Sequence, residues 1–140
     1  MADDNPSILS HVSVGSNDVD RAAAFYDKVL APLGCRRVME FPGAAAFGKA
    51  FPEFWVQHPF DGGKPETANG VHIAFIAPDK AAVDAFYAAA MELGATDDGK
   101  PGPRPQYGEA YYAAFVRDLD GHKIEAMWWD ETKEALGHGG

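Results

Sequence analysis

The residues His11-Val-Ser-Val14 return 61 positions later, from 11 to 72, as His72-Ile-Ala-Phe75. Self-similarity at one constant offset indicates a structural unit that occurs twice in a chain. Three further pairs obey the same offset: Asp18 and Asp79, Ala24 and Ala85, and the dipeptides Phe25-Tyr26 and Phe86-Tyr87. We therefore predict a module one over residues 7–60 and a module two over residues 68–129, in one domain over residues 1–140 with a polar tail over 130–140.

Each module is predicted to begin with a strand and to continue with an amphipathic helix. In residues 8–14 and 71–77 apolar side chains alternate with a period of two, which places His11 and His72 on the face away from the more apolar side. Apolar residues then recur at helical spacing, and the candidate N-caps are Asn17 or Asp18 for the first helix and Asp79 for the second. We expect the helices to cover the apolar face of each sheet and to leave the histidine face uncovered.

Short strands are predicted after each helix. In module one they occupy residues 36–41, 44–49 and 53–58, and in module two residues 111–117 and 122–129. The turn Asp118-Leu-Asp-Gly121 joins the last two strands into a hairpin. Residues 97–108 contain three prolines and three glycines and are assigned to a loop. The predicted fold class is α+β, with paired βαβββ-type modules.

The composition excludes several classes of function. Hydrophobic residues make up 46% of the 140 residues, enough for a packed core. No apolar stretch approaches the about 20 residues that a membrane helix needs, and a formal net charge of -9 disfavours nucleic acid and anionic membranes as partners. The acidic N-terminus lacks the features of a signal peptide, and the single Cys35 suits a reducing compartment, so a cytoplasmic location is expected.

Three residues form a candidate metal site: His11, His72 and Glu125. Alternation places Glu125 on the opposite strand face from Ile124 and Ala126, and a carboxylate among apolar strand residues is costly unless it is paired or binds a metal. Two imidazoles and one carboxylate with open positions form a facial triad, which suits divalent Fe, Mn, Ni, Co or Zn. The predicted cofactor is therefore a divalent metal ion, acting as a Lewis acid on a small-molecule substrate that binds through two adjacent oxygens.

The repeat also indicates where a fourth ligand is missing. Aligning residues 54–56 with residues 124–126 puts Trp55 at the position equivalent to Glu125. Tryptophan does not bind metals. Gln57 lies two residues further on the same face, but an amide oxygen is a weak ligand, so whether Gln57 replaces the missing ligand stays open.

Further residues are candidates for substrate contacts. In the Pro/Gly-rich segment, Arg104 is a candidate partner for a substrate carboxylate or phosphate, and Tyr107 for an acid or hydrogen-bond donor. Together with Glu125 they are the predicted catalytic residues. The predicted substrate pocket is lined by Phe47, Trp55, Gln57, Tyr112 and Met127. The remaining histidines, His58, His122 and His138, are expected to be solvated.

Several quoted segments resemble the vicinal-oxygen-chelate superfamily, which includes glyoxalases, bleomycin-resistance proteins and extradiol dioxygenases. They are SHVSV (10–14), VHIAF (71–75), AAFYDKVLAPLG (23–34), DAFYAAAMELG (84–94) and FVRDLDGHKIEAM (115–127). The resemblance covers about residues 8–129. It implies a cupped, partly open mixed β-barrel with the helices outside, and a homodimer.

The resemblance places the family's metal ligands on His11, His72 and Glu125. At Trp55 the chain departs from glyoxalase I-like members, which carry a metal-bound carboxylate there, and the remaining set is closer to the dioxygenase-like pattern. The resemblance implies a metal-dependent enzyme, either a lyase or isomerase or an extradiol-type dioxygenase. The alternatives are a metal-free antibiotic-binding protein of the bleomycin-resistance type and a catalytically silent partner subunit.

Overall fold

The computed structural model describes residues 6–133. The acidic N-terminal residues 1–5 and the predicted tail beyond residue 133, with His138, lie outside the described residues. Of that predicted tail, Asp130 is joined to the fold, because its backbone N–H donates to the carbonyl of Ala110 at 2.8 Å. The α-helices and strands, in chain order, are β1 (Val12–Gly15), α1 (Val19–Val29), β2 (Arg36–Phe41), β3 (Ala44–Gly48), β4 (Phe54–Gln57), β5 (Ile73–Ile76), α2 (Lys80–Glu92), β6 (Thr96–Pro103), β7 (Tyr111–Arg117) and β8 (Lys123–Trp129). Short 3-10 helices follow α1 at Ala31–Leu33 and β6 at Pro105–Tyr107.

Each module forms one four-stranded mixed sheet. The strand orders are β1-β4-β3-β2 and β5-β8-β7-β6, and in both sheets the first strand of the module pairs in parallel with its last strand. The other neighbouring strands are antiparallel. The α+β class and the paired βαβββ modules predicted from the repeat are therefore confirmed.

Two predicted boundaries differ from the structure. The opening strands are shorter than expected and begin at Val12 and Ile73, so that His11 and His72 lie immediately before them. The segment assigned to a loop is largely the strand β6, interrupted by register shifts on either side of Gly99. β6 is the edge strand of its sheet, and an edge position tolerates the prolines and bulges that a central strand does not.

Aspartate side chains fix the start of both helices. Asp18 accepts a hydrogen bond from the backbone N–H of Arg21 at 3.2 Å, and Asp79 accepts one from Ala82 at 2.8 Å. These bonds satisfy N–H groups that have no partner within the helix. After the first helix the chain reverses at Gly34, whose φ of 83° is a left-handed conformation that glycine adopts without strain.

The helices cover one face of each sheet. Phe47 and Phe54 of the first sheet contact Tyr26 of α1, while Phe75 of the second sheet contacts Phe86 of α2. Phe54 also meets Phe75 edge to face, with ring centroids 5.1 Å apart, so the two apolar faces share one core. No helix among residues 6–133 is long and apolar enough to cross a membrane.

A buried polar contact ties the modules together beneath the helices. The Tyr26 hydroxyl of module one donates to Oδ2 of Asp118 in module two. Oδ1 of Asp118 accepts from the backbone N–H groups of Asp120 and His122, each at 2.9 Å. Burial, together with the Asp118 carboxylate, raises the pKa of Tyr26 well above its usual value of 10.0. The phenol therefore stays a neutral donor.

Within residues 6–133, the opposite face of each sheet carries no α-helix. We call these two surfaces the helix-free faces. In module one it consists of Ser13, Met39, Phe41, Ala44, Ala46, Trp55 and Gln57. In module two it consists of Ala74, Ile76, Tyr111, Ala113, Phe115, Arg117, Lys123, Glu125, Met127 and Trp129, together with His72 beside the start of β5.

Candidate functional site

The site is centred on Glu125, a carboxylate buried on the helix-free face of module two. Its neighbours in β8, Ile124 and Ala126, are buried on the opposite side in the shared core, as alternation requires. Glu125 is only 1% exposed. A buried carboxylate is costly unless its oxygens are hydrogen-bonded or bind a cation, so its partners reveal what the site is built to do.

Both carboxylate oxygens of Glu125 have a partner. Nε2 of His72 lies 3.0 Å from Oε1, and the hydroxyl of Tyr111 donates to Oε2 at 2.5 Å. Burial and the neighbouring Glu125 raise the pKa of Tyr111 above its usual value of 10.0, so the phenol remains the donor in this pair. His72 is itself exposed and contacts the ring of Phe115.

The donor set of this pair fits a divalent metal ion. An imidazole nitrogen and a carboxylate oxygen bound to one ion at about 2.1 Å each, at right angles, lie about 3 Å apart. The 3.0 Å between His72 Nε2 and Glu125 Oε1 is the length of an ordinary hydrogen bond, and it is also compatible with that separation. A divalent ion would take the place of the Nε2 proton, because a proton and a metal ion compete for the same imidazole lone pair.

His11, the third predicted ligand, belongs to the other sheet. Its Nδ1 lies 2.9 Å from the hydroxyl of Ser10, and the residue is exposed. His11 and His72 line the same cleft of about 510 Å³, but Glu125 is not among the lining residues. Within residues 6–133, no group of three or more His, Cys, Asp or Glu side chains is close enough to hold a metal. The structure thus brings His72 and Glu125 together, while the complete triad stays a prediction.

The helix-free face of module one carries a separate concavity. A cavity of about 750 Å³ is lined by His11, Trp55, Gln57 and Glu53, among others. Trp55 is half-buried and stacks on Phe41, with ring centroids 6.3 Å apart and planes 7° from parallel. Two of the predicted pocket residues, Trp55 and Gln57, therefore lie beside His11.

The register confirms that Trp55 occupies the position equivalent to Glu125. Trp55 pairs with Ser13 in the parallel β1–β4 ladder, and Glu125 pairs with Ala74 in the β5–β8 ladder. Ser13 and Ala74 are themselves related by the offset of the repeat. The same backbone position thus carries an indole in one module and a buried carboxylate in the other.

The other predicted pocket residues divide between the two faces. Met127 is half-buried on the helix-free face, next to Ile76 and Ala113 in register. Phe47 instead lies under α1, and the Tyr112 hydroxyl donates to Asp84 of α2 at 2.7 Å. Both therefore lie on the helix-covered side, away from Glu125, although Phe47 also borders the 510 Å³ cleft.

Arg104 and Tyr107 lie near the site but are engaged differently from expectation. The guanidinium of Arg104 donates to the backbone carbonyls of Lys100, Gly102 and Pro103 and lies 5.4 Å from the ring centre of Phe115. It therefore stabilises the irregular end of β6. Tyr107 is 57% exposed, and its ring packs against that of Tyr111, not against Glu125.

Two histidines expected to be solvated have protein partners at the module boundary. Nε2 of His122 lies 2.8 Å from the carbonyl oxygen of Gly15, so this half-buried ring links module two to β1. Nδ1 of His58, which is exposed, lies 3.1 Å from the carbonyl of Ser16. Both contacts lie away from Glu125 and hold the backbone that follows β1.

The residue that sequence reasoning missed is Tyr111. The turn at residues 118–121 pairs Arg117 with Lys123, and counting back along the hairpin pairs Phe115 with Glu125. Alternation from Phe115 then places Tyr111, and not Tyr112, on the face of Glu125. The signal was present in the register of the hairpin.

Comparison with known proteins assigns the family. The family model for the Glyoxalase/Bleomycin resistance protein/Dioxygenase superfamily matches residues 8–126. Among solved structures, a glyoxalase/bleomycin resistance protein from Albidiferax ferrireducens T118 is 32% identical, with a TM-score of 0.79, over 87% of this chain and 98% of that chain. No curated protein matches this chain significantly.

More distant structures share the fold. A glyoxalase/bleomycin resistance protein/dioxygenase family enzyme from Burkholderia phytofirmans PsJN is 18% identical, with a TM-score of 0.68, over 88% of this chain and 99% of that chain. A lactoylglutathione lyase from Agrobacterium tumefaciens is 23% identical, with a TM-score of 0.60, over 89% and 94%. The motifs, the two sheets and the family match agree: this chain belongs to the Glyoxalase/Bleomycin resistance protein/Dioxygenase superfamily.

Proposed function

We propose that this protein is a metal-dependent enzyme of the glyoxalase/dioxygenase type, acting on a small substrate that chelates the metal through two adjacent oxygens. The observation that carries the proposal is the buried Glu125 with Nε2 of His72 3.0 Å from its Oε1. His72 and Glu125 would hold a divalent ion, with His11 as the third ligand. Bound there, the ion supplies a Lewis acid for the substrate oxygens.

The residues around the pair would bind and orient the substrate. On module one, Trp55 and Phe41 offer stacked aromatic rings, which suit a flat substrate. On module two, Met127 and Phe115 add apolar surface beside Glu125. Three protein ligands leave positions for two substrate oxygens, which both a lyase or isomerase and an extradiol-type dioxygenase require.

We propose further that a second copy of the chain completes the site. His11 lies on one sheet, and the His72–Glu125 pair lies on the other. Both helix-free faces also expose apolar side chains, with Phe41 58% and Ile76 73% exposed, and exposed apolar surface of this kind marks sites of association. In a homodimer, module one of one copy would face module two of the other, which brings His11 to the pair.

The metal content of protein purified without an affinity tag tests this function. We expect about one Fe, Mn, Ni, Co or Zn ion per chain, lost in His72→Ala. The matched control is His58→Ala, which removes an exposed imidazole that bonds only a backbone carbonyl; it should keep the metal. Absence of metal from the wild-type protein after anaerobic reconstitution with each ion would refute the proposal.

A metal-free binding protein of the bleomycin-resistance type is the second candidate. The parallel stack of Phe41 and Trp55 favours it, because flat ligands bind between or upon such rings. The net charge of -9 suits a cationic ligand. Such a protein would bind a flat cationic antibiotic equally well with and without added metal, and Glu125→Gln would leave that affinity intact.

A further inference from the structure

Both oxygens of the Glu125 carboxylate have a hydrogen-bond partner. On one side Oε1 meets His72 Nε2 at 3.0 Å, and on the other Oε2 accepts from the Tyr111 hydroxyl at 2.5 Å. Of the two partners, His72 is exposed and Tyr111 is half-buried. His72 offers a nitrogen that can itself bind a metal, whereas the Tyr111 hydroxyl, as a donor, satisfies Oε2 whether or not a metal is present.

Tyr111 can reach Glu125 because the small residue Ala113 lies between them on the same face. The hairpin pairs Tyr111 with Trp129, Ala113 with Met127 and Phe115 with Glu125. Ala113, between Tyr111 and Phe115 on that face, presents only a methyl group and is fully buried.

The ring of Tyr111 is also held from its sides. Tyr107 meets it at 5.3 Å between centroids, and Trp129 meets it edge to face at 6.2 Å. The phenol is therefore fixed by packing before it donates to Glu125.

We propose that Tyr111 is a positioning residue that turns Glu125 into a fixed, one-oxygen metal ligand. This rests on the proposed function. With Oε2 held by the phenol, Oε1, on the His72 side, is the oxygen that faces an ion. A carboxylate that swings between metal and substrate must break the Tyr111 bond in a site that offers little water. Glu125 is therefore a static ligand, and the reaction does not use it to carry a proton.

This assignment narrows the class of reaction. Isomerisation that relies on a mobile metal-bound carboxylate as the base needs the freedom that Tyr111 removes. At the position of module one that is equivalent to Glu125, Trp55 stands in place of a carboxylate. The proposal therefore disfavours isomerisation that uses Glu125 as the base.

The test compares two phenylalanine variants of adjacent tyrosines in the full-length, untagged protein. Tyr111→Phe removes the donor to Glu125, whereas Tyr112→Phe removes a hydroxyl of the same strand that donates to Asp84 on the helix-covered face. With Co(II) as the probe, we expect Tyr111→Phe to weaken binding by about 10- to 100-fold, as loss of a hydrogen bond to a ligand does. We also expect the visible Co(II) spectrum to change, and both quantities to be unchanged in Tyr112→Phe.

A second measurement needs no variant. Infrared difference spectra of wild-type protein with isotope-labelled glutamate, with and without Zn(II), should show the carboxylate band separation of one-oxygen binding. Two-oxygen binding, or a Tyr111→Phe variant that binds Co(II) with wild-type affinity and spectrum, would overturn the role of Tyr111. A wild-type protein that binds neither ion would instead refute the proposed metal function, so the two failures are distinguishable.

Discussion

The helix-free faces of the two modules share one backbone plan and differ in chemistry. At equivalent positions in register, module one has Trp55 and module two has Glu125. Around Trp55 the face carries a second aromatic ring, Phe41, stacked upon it, and Glu53 and His11 line the cavity beside it. Around Glu125 it carries His72 and Tyr111, each bonded to one carboxylate oxygen.

The repeat fixes where a side chain lies on the sheet, and the residue type at that position fixes the chemistry. An indole on a half-exposed sheet face needs no partner beyond another ring, whereas a buried carboxylate requires donors or a cation. In module two, His72 and Tyr111 are the partners of that carboxylate. In the site proposed above, module two provides the metal ligands His72 and Glu125, and module one provides an aromatic wall and His11.

The largest effect is expected from a substitution of Glu125 itself. Glu125→Gln keeps the shape and can still accept from Tyr111, but it replaces an ionised ligand by a weak one. We expect metal affinity to fall by more than about 100-fold, beyond what outer contacts alone are worth. Isothermal titration with Zn(II) measures it, and circular dichroism checks the fold. Unchanged affinity would mean that Glu125 is not a ligand.

The next largest effect is expected at the buried contact between Tyr26 and Asp118, which joins the two modules. Tyr26→Phe removes the hydroxyl that donates to the buried Asp118. Because that carboxylate oxygen loses a buried donor, we expect the free energy of unfolding to fall by about 1.5–3 kcal/mol. Urea denaturation measures the change. Tyr87→Phe, whose hydroxyl bonds the exposed Asp97, is the control and should cost less than about 0.5 kcal/mol.

Trp55→Glu sharpens the comparison by giving module one the residue of module two. If Trp55 faces the metal site, the new carboxylate adds a fourth ligand. We expect the dissociation constant for Zn(II) to fall by about 10-fold, equivalent to about 1.4 kcal/mol. Trp55→Gln is the matched control, with nearly the same size and no charge. Equal affinities for both variants would place Trp55 away from the metal.

The smallest effect is the pH dependence of stability that Tyr112 contributes on the helix-covered face. Burial and the bond to Asp84 raise the pKa of Tyr112 to about 12. In the unfolded chain a tyrosine ionises near pH 10, so this contribution to stability is complete below pH 10 and is lost as pH rises from 10 to 12. Stability curves from pH 9 to 12 should fall less for Tyr112→Phe than for wild type; parallel curves would contradict the assignment.

The sequence predicted the repeat, the fold class and the equivalence of Trp55 with Glu125, because periodicity and offset constrain local structure strongly. It also placed His72 and Glu125 on one face, where they now form a hydrogen bond. It missed β6, because proline and glycine are typical of loops and an edge strand tolerates them.

Residues whose place depends on exact register were harder to predict. The predicted pocket includes Tyr112, whereas the structure places Tyr111 beside Glu125 and Tyr112 beside α2. A shift of one position in a strand moves a side chain to the other face. Local sequence patterns do not predict that His11 lies apart from the pair of His72 and Glu125. Alternation tells which face of a sheet a residue occupies, but not which sheet, or which copy of the chain, that face will meet.

One measurement tests most directly whether the site is built from both faces across two copies. His11→Ala and Glu125→Gln chains are each expected to bind no metal tightly. When they are co-expressed under separate tags, which are cleaved off after the mixed dimer is isolated, one site receives His11 from one chain and His72 with Glu125 from the other. The account predicts about one tightly bound Zn(II) per mixed dimer. A mixed dimer with no tight site, beside a wild-type protein that binds metal, would show that each site lies within a single chain and would contradict the account.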